Sequence, residues 1–86
     1  PNTKLHGDLL RAHGAIEAMT GKVTGALRDY QRAHDVFQAA GENRSRAMAL
    51  QDIGMIYLEA GDYDRTLAYY EQSGEVFSDD KVITLT

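Results

Sequence analysis

The stretch Leu50-Gln-Asp-Ile53-Gly54-Met-Ile-Tyr57-Leu-Glu-Ala-Gly61-Asp62-Tyr63-Asp64-Arg-Thr66-Leu67-Ala-Tyr69-Tyr70 decides the fold. Leu50, Ile53, Gly54 and Tyr57 stand at i, i+3, i+4 and i+7, the spacing that places four side chains on one face of a helix. Gly61-Asp62 interrupts the pattern, and a second helical period runs through Tyr63, Leu67, Tyr70 and Phe77. The reading is a helical hairpin closed by a tight turn.

Shifting the chain by forty residues exposes an internal copy. Leu10 falls on Leu50, Gly14 on Gly54, Ile16 on Ile56 and Gly21 on Gly61. Leu27 falls on Leu67, Tyr30 on Tyr70, Val36 on Val76 and Phe37 on Phe77. Four helices are therefore expected, over about 2–20, 23–39, 43–60 and 63–78. Leu5, Leu9, Leu10, Ala12, Ile16 and Met19 form the apolar stripe of the first, with Thr3 as its cap and Asp8 as a competing start. Ala26, Leu27, Tyr30, Ala33 and Phe37 share a side of the second. Gly21 and Gly41 follow helix ends, where a left-handed residue favours glycine. Asp62 is the expected cap of the fourth helix, and Asp79-Asp80 that of a further one.

The pattern Leu50-x-x-Ile53-Gly54-x-x-Tyr57 followed by Thr66-x-x-x-Tyr70 resembles the tetratricopeptide repeat, W-x-x-L-G-x-x-Y and then A-x-x-x-F. The turn Gly61-Asp62-Tyr63-Asp64 is similar to that family's turn. Leu50, Ile53 and Tyr70 keep apolar bulk, whereas Thr66 adds a hydroxyl where helices pass closely. The earlier copy, Leu10-x-x-His13-Gly14-x-x-Glu17 and Ala26-x-x-x-Tyr30, departs at His13 and Glu17. The resemblance implies an all-α, right-handed α-solenoid of antiparallel helix pairs. Its repeats are expected at 7–40 and 47–80, with 81–86 opening a third repeat or forming a capping helix. The six residues beyond the usual period of about 34, around 41–46, are expected to lengthen the flanking helices, not to form a loose loop.

Gly14 and Gly54 lie mid-helix, where glycine costs about 1 kcal/mol relative to alanine. Their presence in register points to close approach of another helix, with Ala26 and Thr66 as the expected partners.

Composition bounds the rest. Eighty-six residues make one small domain. The chain lacks cysteine, which excludes disulfides and thiolate metal sites and suits a reducing, cytoplasmic setting. A net charge of −4 argues against a nucleic-acid surface, and no apolar run approaches the roughly 18 residues of a membrane span. The start at Pro1 without a methionine is read as that of a fragment.

No catalytic motif, cofactor loop or metal motif is present, so no enzyme activity, cofactor or metal is expected. His6, His13 and Glu17 share a side of the first helix, but the two histidines read as solvent-facing or half-buried, and His34 as a surface or inter-repeat residue. Asp62, Asp64, Asp79 and Asp80 lack calcium-loop spacing and read as caps. Asn43-Arg44-Ser45 matches a glycosylation tripeptide without a secretion signal beside it. Tyr57, Tyr63 and Tyr70 are expected in the core, and Tyr69 exposed.

The resemblance implies that function lies on a concave face lined by the first helix of each repeat. The groove residues would be Asp8, Arg11, Ala15, Ala18 and Met19, then Met48, Gln51, Met55, Leu58 and Glu59. The alternative is that several of these only cover the repeat interface. Met48 and Met55 suit an apolar peptide or helix. The Lys and Asn pairing that holds a peptide's terminal carboxylate in chaperone-binding members is missing. The expected role is a protein-interaction module, a regulatory part of a larger bacterial signalling protein. The alternative is a structural module whose main role is oligomerisation; under either reading Phe77, Val82, Ile83 and Leu85 are expected to be partly exposed and to favour self-association.

Overall fold

Three glycines at 21, 41 and 61 set the architecture. Each has a positive φ (80°, 72° and 78°) that a β-carbon would disfavour, and each ends a helix with the same pair of hydrogen bonds. The amide after the glycine donates five residues back, Lys22 to Glu17, Glu42 to Phe37 and Asp62 to Tyr57, at 2.8–2.9 Å. The glycine amide itself donates three back, to Ala18, Gln38 and Leu58. This geometry satisfies the orphan carbonyls at each helix end and turns the chain back on itself.

The computed structural model describes residues 3–85, with side chains described for 3–78. It consists of α1 (Lys4–Met19), α2 (Val23–Ala40), α3 (Asn43–Glu59) and α4 (Tyr63–Leu85), with no strand among the described residues. α1 packs on α2, α2 on α3 and α3 on α4, giving the expected all-α solenoid of stacked helix pairs. Only Gly41 and Glu42 separate α2 from α3, so of the stretch 41–46 the residues from Asn43 on lie within α3.

Thr3 caps α1 by accepting from the His6 amide at 3.2 Å, which settles the start against Asp8. Asp62 caps α4, its Oδ1 accepting from the Arg65 amide at 3.2 Å. The fresh start expected at Asp79-Asp80 is absent, because the α4 backbone continues unbroken to Leu85. Asn2 and Thr86, also included in expected elements, lie outside the described residues.

The core centres on α2 and α3. Ala26, Tyr30, Ile53 and Ile56 form one buried cluster, and Ala33, Phe37 and Ala49 another. The stripe expected on α1 is not its core face: Leu5, Leu9, Ile16 and Met19 are 60–85 % exposed, while Gly7 and Gly14 are buried. α2 supplies the bulk with Tyr30 and Phe37, so the facing side of α1 must be nearly bare. A β-carbon on Gly7 would overlap the Phe37 ring, and one on Gly14 would lie 2.8 Å from Tyr30 Cε1. Close approach at the glycines is therefore present. The partners are Tyr30 and Tyr70, not Ala26 and Thr66, because an aromatic ring one turn further along reaches across to the glycine.

On α4, Tyr63 and Leu67 are exposed, contrary to the expected period, and Thr66 and Ser73 are buried instead. The Thr66 hydroxyl is satisfied by the Asp62 carbonyl (2.9 Å), and the Ser73 hydroxyl by the Ala47 carbonyl of α3 (2.9 Å). Small hydroxyl residues thus sit where the helices are closest without leaving a buried donor unpaired. Tyr69, expected outside, is half-buried and stacks on Tyr57, with ring centroids 5.8 Å apart and Arg65 over the Tyr57 ring.

Candidate functional site

α1 and α3 each open their repeat, and an ion pair ties them side by side. Arg11 Nε lies 2.5 Å from Asp52 Oδ2, and Nη2 lies 3.2 Å from Oδ1. This is the forked geometry in which guanidinium and carboxylate bind most strongly. Hydrogen bonding to Asp52 raises the Arg11 guanidinium above its ordinary value, against the opposing effect of partial burial.

A depression of about 340 Å³ forms around this pair, lined by Asp8, Arg11, Ala12, Ala15, Tyr30 and Asp52. A second, of about 230 Å³, is lined by Gln51, Asp52, Met55 and Tyr70. Asp52 belongs to both, so the two hollows adjoin on the α1–α3 side. Tyr30 and Tyr70 come from the second helix of each pair. The bare backbone at Gly14 and Gly54 lets their rings lie across α1 and α3 and contribute to the lining. Burial pushes the Tyr30 phenol up, and the Asp52 carboxylate adds to the shift. Lys4 Nζ holds Asp8 Oδ2 at 2.8 Å on the rim.

Of the expected groove residues, Asp8, Arg11 and Ala15 line the first hollow, and Gln51 and Met55 the second. Ala18 packs against the Tyr30–Ile56 cluster. Met19, Met48, Leu58 and Glu59 are exposed outside both hollows. Asp52, Tyr30 and Tyr70 were not expected there. Periodicity within one helix cannot report a contact made between repeats, although opposite charges at 11 and 52, one residue off the forty-residue register, carry a signal of it. The surface offers carboxylate acceptors, a thioether and aromatic lining.

A second polar cluster lies between α1 and α2. His13 Nδ1 is 2.5 Å from Asp29 Oδ2 and 2.9 Å from Glu17 Oε1. The Asp29 side chain is only 4 % exposed. The hydrogen bond from His13 holds its carboxyl below the usual range, with Glu17 and Arg28 acting the same way and burial opposing them. The Glu17 carboxylate lies over the bare backbone of Gly25, where a β-carbon would displace it. His13 is exposed, in line with the sequence, and Glu17 is half-buried, but their joint partner Asp29 was not foreseen. The three ligand atoms lie within 4.8 Å of one another, a set that can hold a divalent cation. An imidazole N–H shared between two carboxylates accounts equally for the geometry. His34 joins the repeats instead, accepting from Arg46 Nε at 3.1 Å.

Comparison with curated proteins returned no match, and comparison with solved structures returned none either. The family profile described as tetratricopeptide repeat matches residues 6–79, nearly the whole array of helix pairs set out above. By that match and by its two stacked helical hairpins, the chain belongs to the tetratricopeptide repeat family.

Proposed function

We propose that this chain is a protein-interaction module that takes a peptide or helix along its α1–α3 face. The observation that supports it most is the pair of adjoining hollows sharing Asp52, floored by tyrosines that glycines admit. The occupant would run across Asp8, Arg11 and Ala15 to Gln51 and Met55, with Met48, Leu58 and Glu59 flanking it and Ala18 and Met19 at the far end of α1. Met55 adapts to apolar side chains, and the carboxylates of Asp8 and Asp52 accept from the ligand's donors. The setting proposed is the regulatory part of a larger bacterial signalling protein in the cytoplasm, with repeats at 7–40 and 47–80. Neither catalysis, nucleic-acid binding nor membrane insertion belongs to this reading; no helix among the described residues is long and apolar enough to cross a membrane. Selection of helical peptides from a displayed library, followed by titration against Ala15→Glu and Met55→Glu, tests it. Binders from the α1–α3 face lose at least about tenfold in affinity, or 1.4 kcal/mol, with either substitution. Binders indifferent to both would refute the assignment of the face. A second reading, self-association, is favoured by the exposed apolar side chains of Leu5, Leu9 and Ile16 on α1 and of Leu67 and Phe77 on α4.

A further inference from the structure

The cluster of His13, Glu17 and Asp29 lies where the second repeat holds an apolar contact. In the forty-residue register these three fall on Ile53, Tyr57 and Tyr69, and Gly25 falls on Arg65. In the second pair Tyr57 and Tyr69 stack and pack against the cluster that buries Ile53, and the Arg65 guanidinium lies 5.5 Å from the Tyr57 ring centroid. In the first pair all four positions differ together. Three carry metal-ligating groups, and the arginine, which would bring a competing cation, is a glycine. The absence of a side chain there leaves the space in which the Glu17 carboxylate lies. Loss of an aromatic contact alone does not account for a ligand group at each of its three corners.

We infer that His13, Glu17 and Asp29 bind a divalent transition-metal ion of the zinc type, which fastens α1 to α2 in the first repeat. The site is separate from the α1–α3 groove and goes beyond the interaction role proposed above. Charge supports it. The Glu17 and Asp29 side chains are 12 % and 4 % exposed, and their ligand oxygens lie within 4.8 Å of each other. Two carboxylates held this close with little water repel, and each needs a partner for its charge. The Arg28 guanidinium is 4.0 Å from Asp29 Oδ1 on an exposed side chain, so it compensates Asp29 only weakly. The His13 ring presents the same nitrogen, Nδ1, to both carboxylates, and that nitrogen carries at most one proton. One proton balances one carboxylate, whereas a divalent ion balances both. Distances support the site as well. Bonds of about 2.0–2.1 Å from zinc to imidazole nitrogen and carboxylate oxygen set neighbouring ligands about 3.0–3.3 Å apart. Nδ1 already stands 2.5 and 2.9 Å from the two oxygens, so each pair opens by less than about 1 Å on coordination. His13 and Glu17 are one turn apart on α1, and the bare backbone of Gly14 brings α1 close to the Asp29 Cβ on α2. The remaining coordination positions face solvent on the exposed side of His13.

Calorimetric titration of the chelator-treated full chain with zinc chloride, together with thermal unfolding followed by circular dichroism, decides the matter. The parent takes up one equivalent of zinc with a micromolar or tighter Kd. Its Tm rises by about 5 °C or more when free zinc exceeds that Kd about a hundredfold. His13→Gln and Asp29→Asn each weaken uptake by at least about tenfold and lose most of the Tm rise. The His13 side chain is exposed and asparagine keeps the shape of aspartate, so both variants fold, and their helical circular dichroism without metal matches the parent. His6→Gln, on the same helix outside the cluster, takes up zinc as the parent does. Cobalt chloride gives a visible absorption band that saturates at one equivalent and is abolished by added zinc. No uptake up to millimolar zinc overturns the inference and leaves the trio as a hydrogen-bonded network. Uptake that is undiminished in His13→Gln and Asp29→Asn overturns it as well, since the ion then sits elsewhere on the chain.

Discussion

Replacing Gly14 by alanine tests the packing that the fold depends on. In an open helix this change stabilises by about 1 kcal/mol, through propensity and a less flexible unfolded chain. At Gly14 the new methyl would lie 2.8 and 2.9 Å from Tyr30 Cε1 and Cδ1, and 3.3 Å from Asp29 Cβ. Carbon atoms rest at about 3.5–4.0 Å, so α1 must move away by roughly 0.7–1.2 Å. The Tyr30 ring cannot yield in its place, because it is 6 % exposed and wedged in the central cluster. Overpacking of this kind costs about 1–3 kcal/mol, which leaves Gly14→Ala destabilised by about 0–2 kcal/mol after the propensity gain. Gly74 is the internal control, being mid-helix in α4 with nothing within 4 Å of a β-carbon. Gly74→Ala therefore keeps the whole gain of about 1 kcal/mol. Urea denaturation followed by helical circular dichroism gives both values by linear extrapolation. The two variants should differ by about 1–3 kcal/mol, or upwards of about 4 °C in Tm for a domain of this size. Equal stabilisation by both alanines would refute the close approach.

Gly54→Leu carries the same argument to the second pair, where the β-carbon would lie 2.7 Å from Tyr70 Cε1. It should lower stability by about 1–3 kcal/mol, and a melting curve superimposable on the parent's would count against it. The lowered Asp29 carboxyl stabilises the fold at pH values above the unfolded carboxylate value, about 3.9, and this contribution is lost as pH falls through the folded value. Denaturation midpoints measured from pH 6 to pH 2 should fall less steeply in Asp29→Asn than in the parent; an identical acid limb argues against the His13–Asp29 bond. The half-buried Arg11–Asp52 fork should show a coupling of about 1 kcal/mol in a double-mutant cycle with Arg11→Met and Asp52→Asn. That coupling should shrink only modestly in high salt, and a coupling of zero would remove the pair as the tie between α1 and α3.

The turns were legible in the sequence because their cause is local. Gly21, Gly41 and Gly61 end helices through a backbone conformation that needs no distant partner, and Thr3 and Asp62 cap within one turn. The internal copy was legible as well, since residue identity in register needs only the chain itself. Helix number, the junctions and the all-α class follow from these. The inward side of α1 was not legible. Its apolar stripe reads as core by period alone, yet Gly7 and Gly14 face α2 because Phe37 and Tyr30 already fill the space. Which of two facing surfaces provides the bulk is a property of the pair, and no periodicity within one helix encodes it. The same holds for Arg11 with Asp52 and for His13 with Asp29, whose partners lie on other helices. Sequence determined where the chain bends and what repeats; only tertiary packing decided which side of each helix is covered, because burial depends on the volume a neighbour brings.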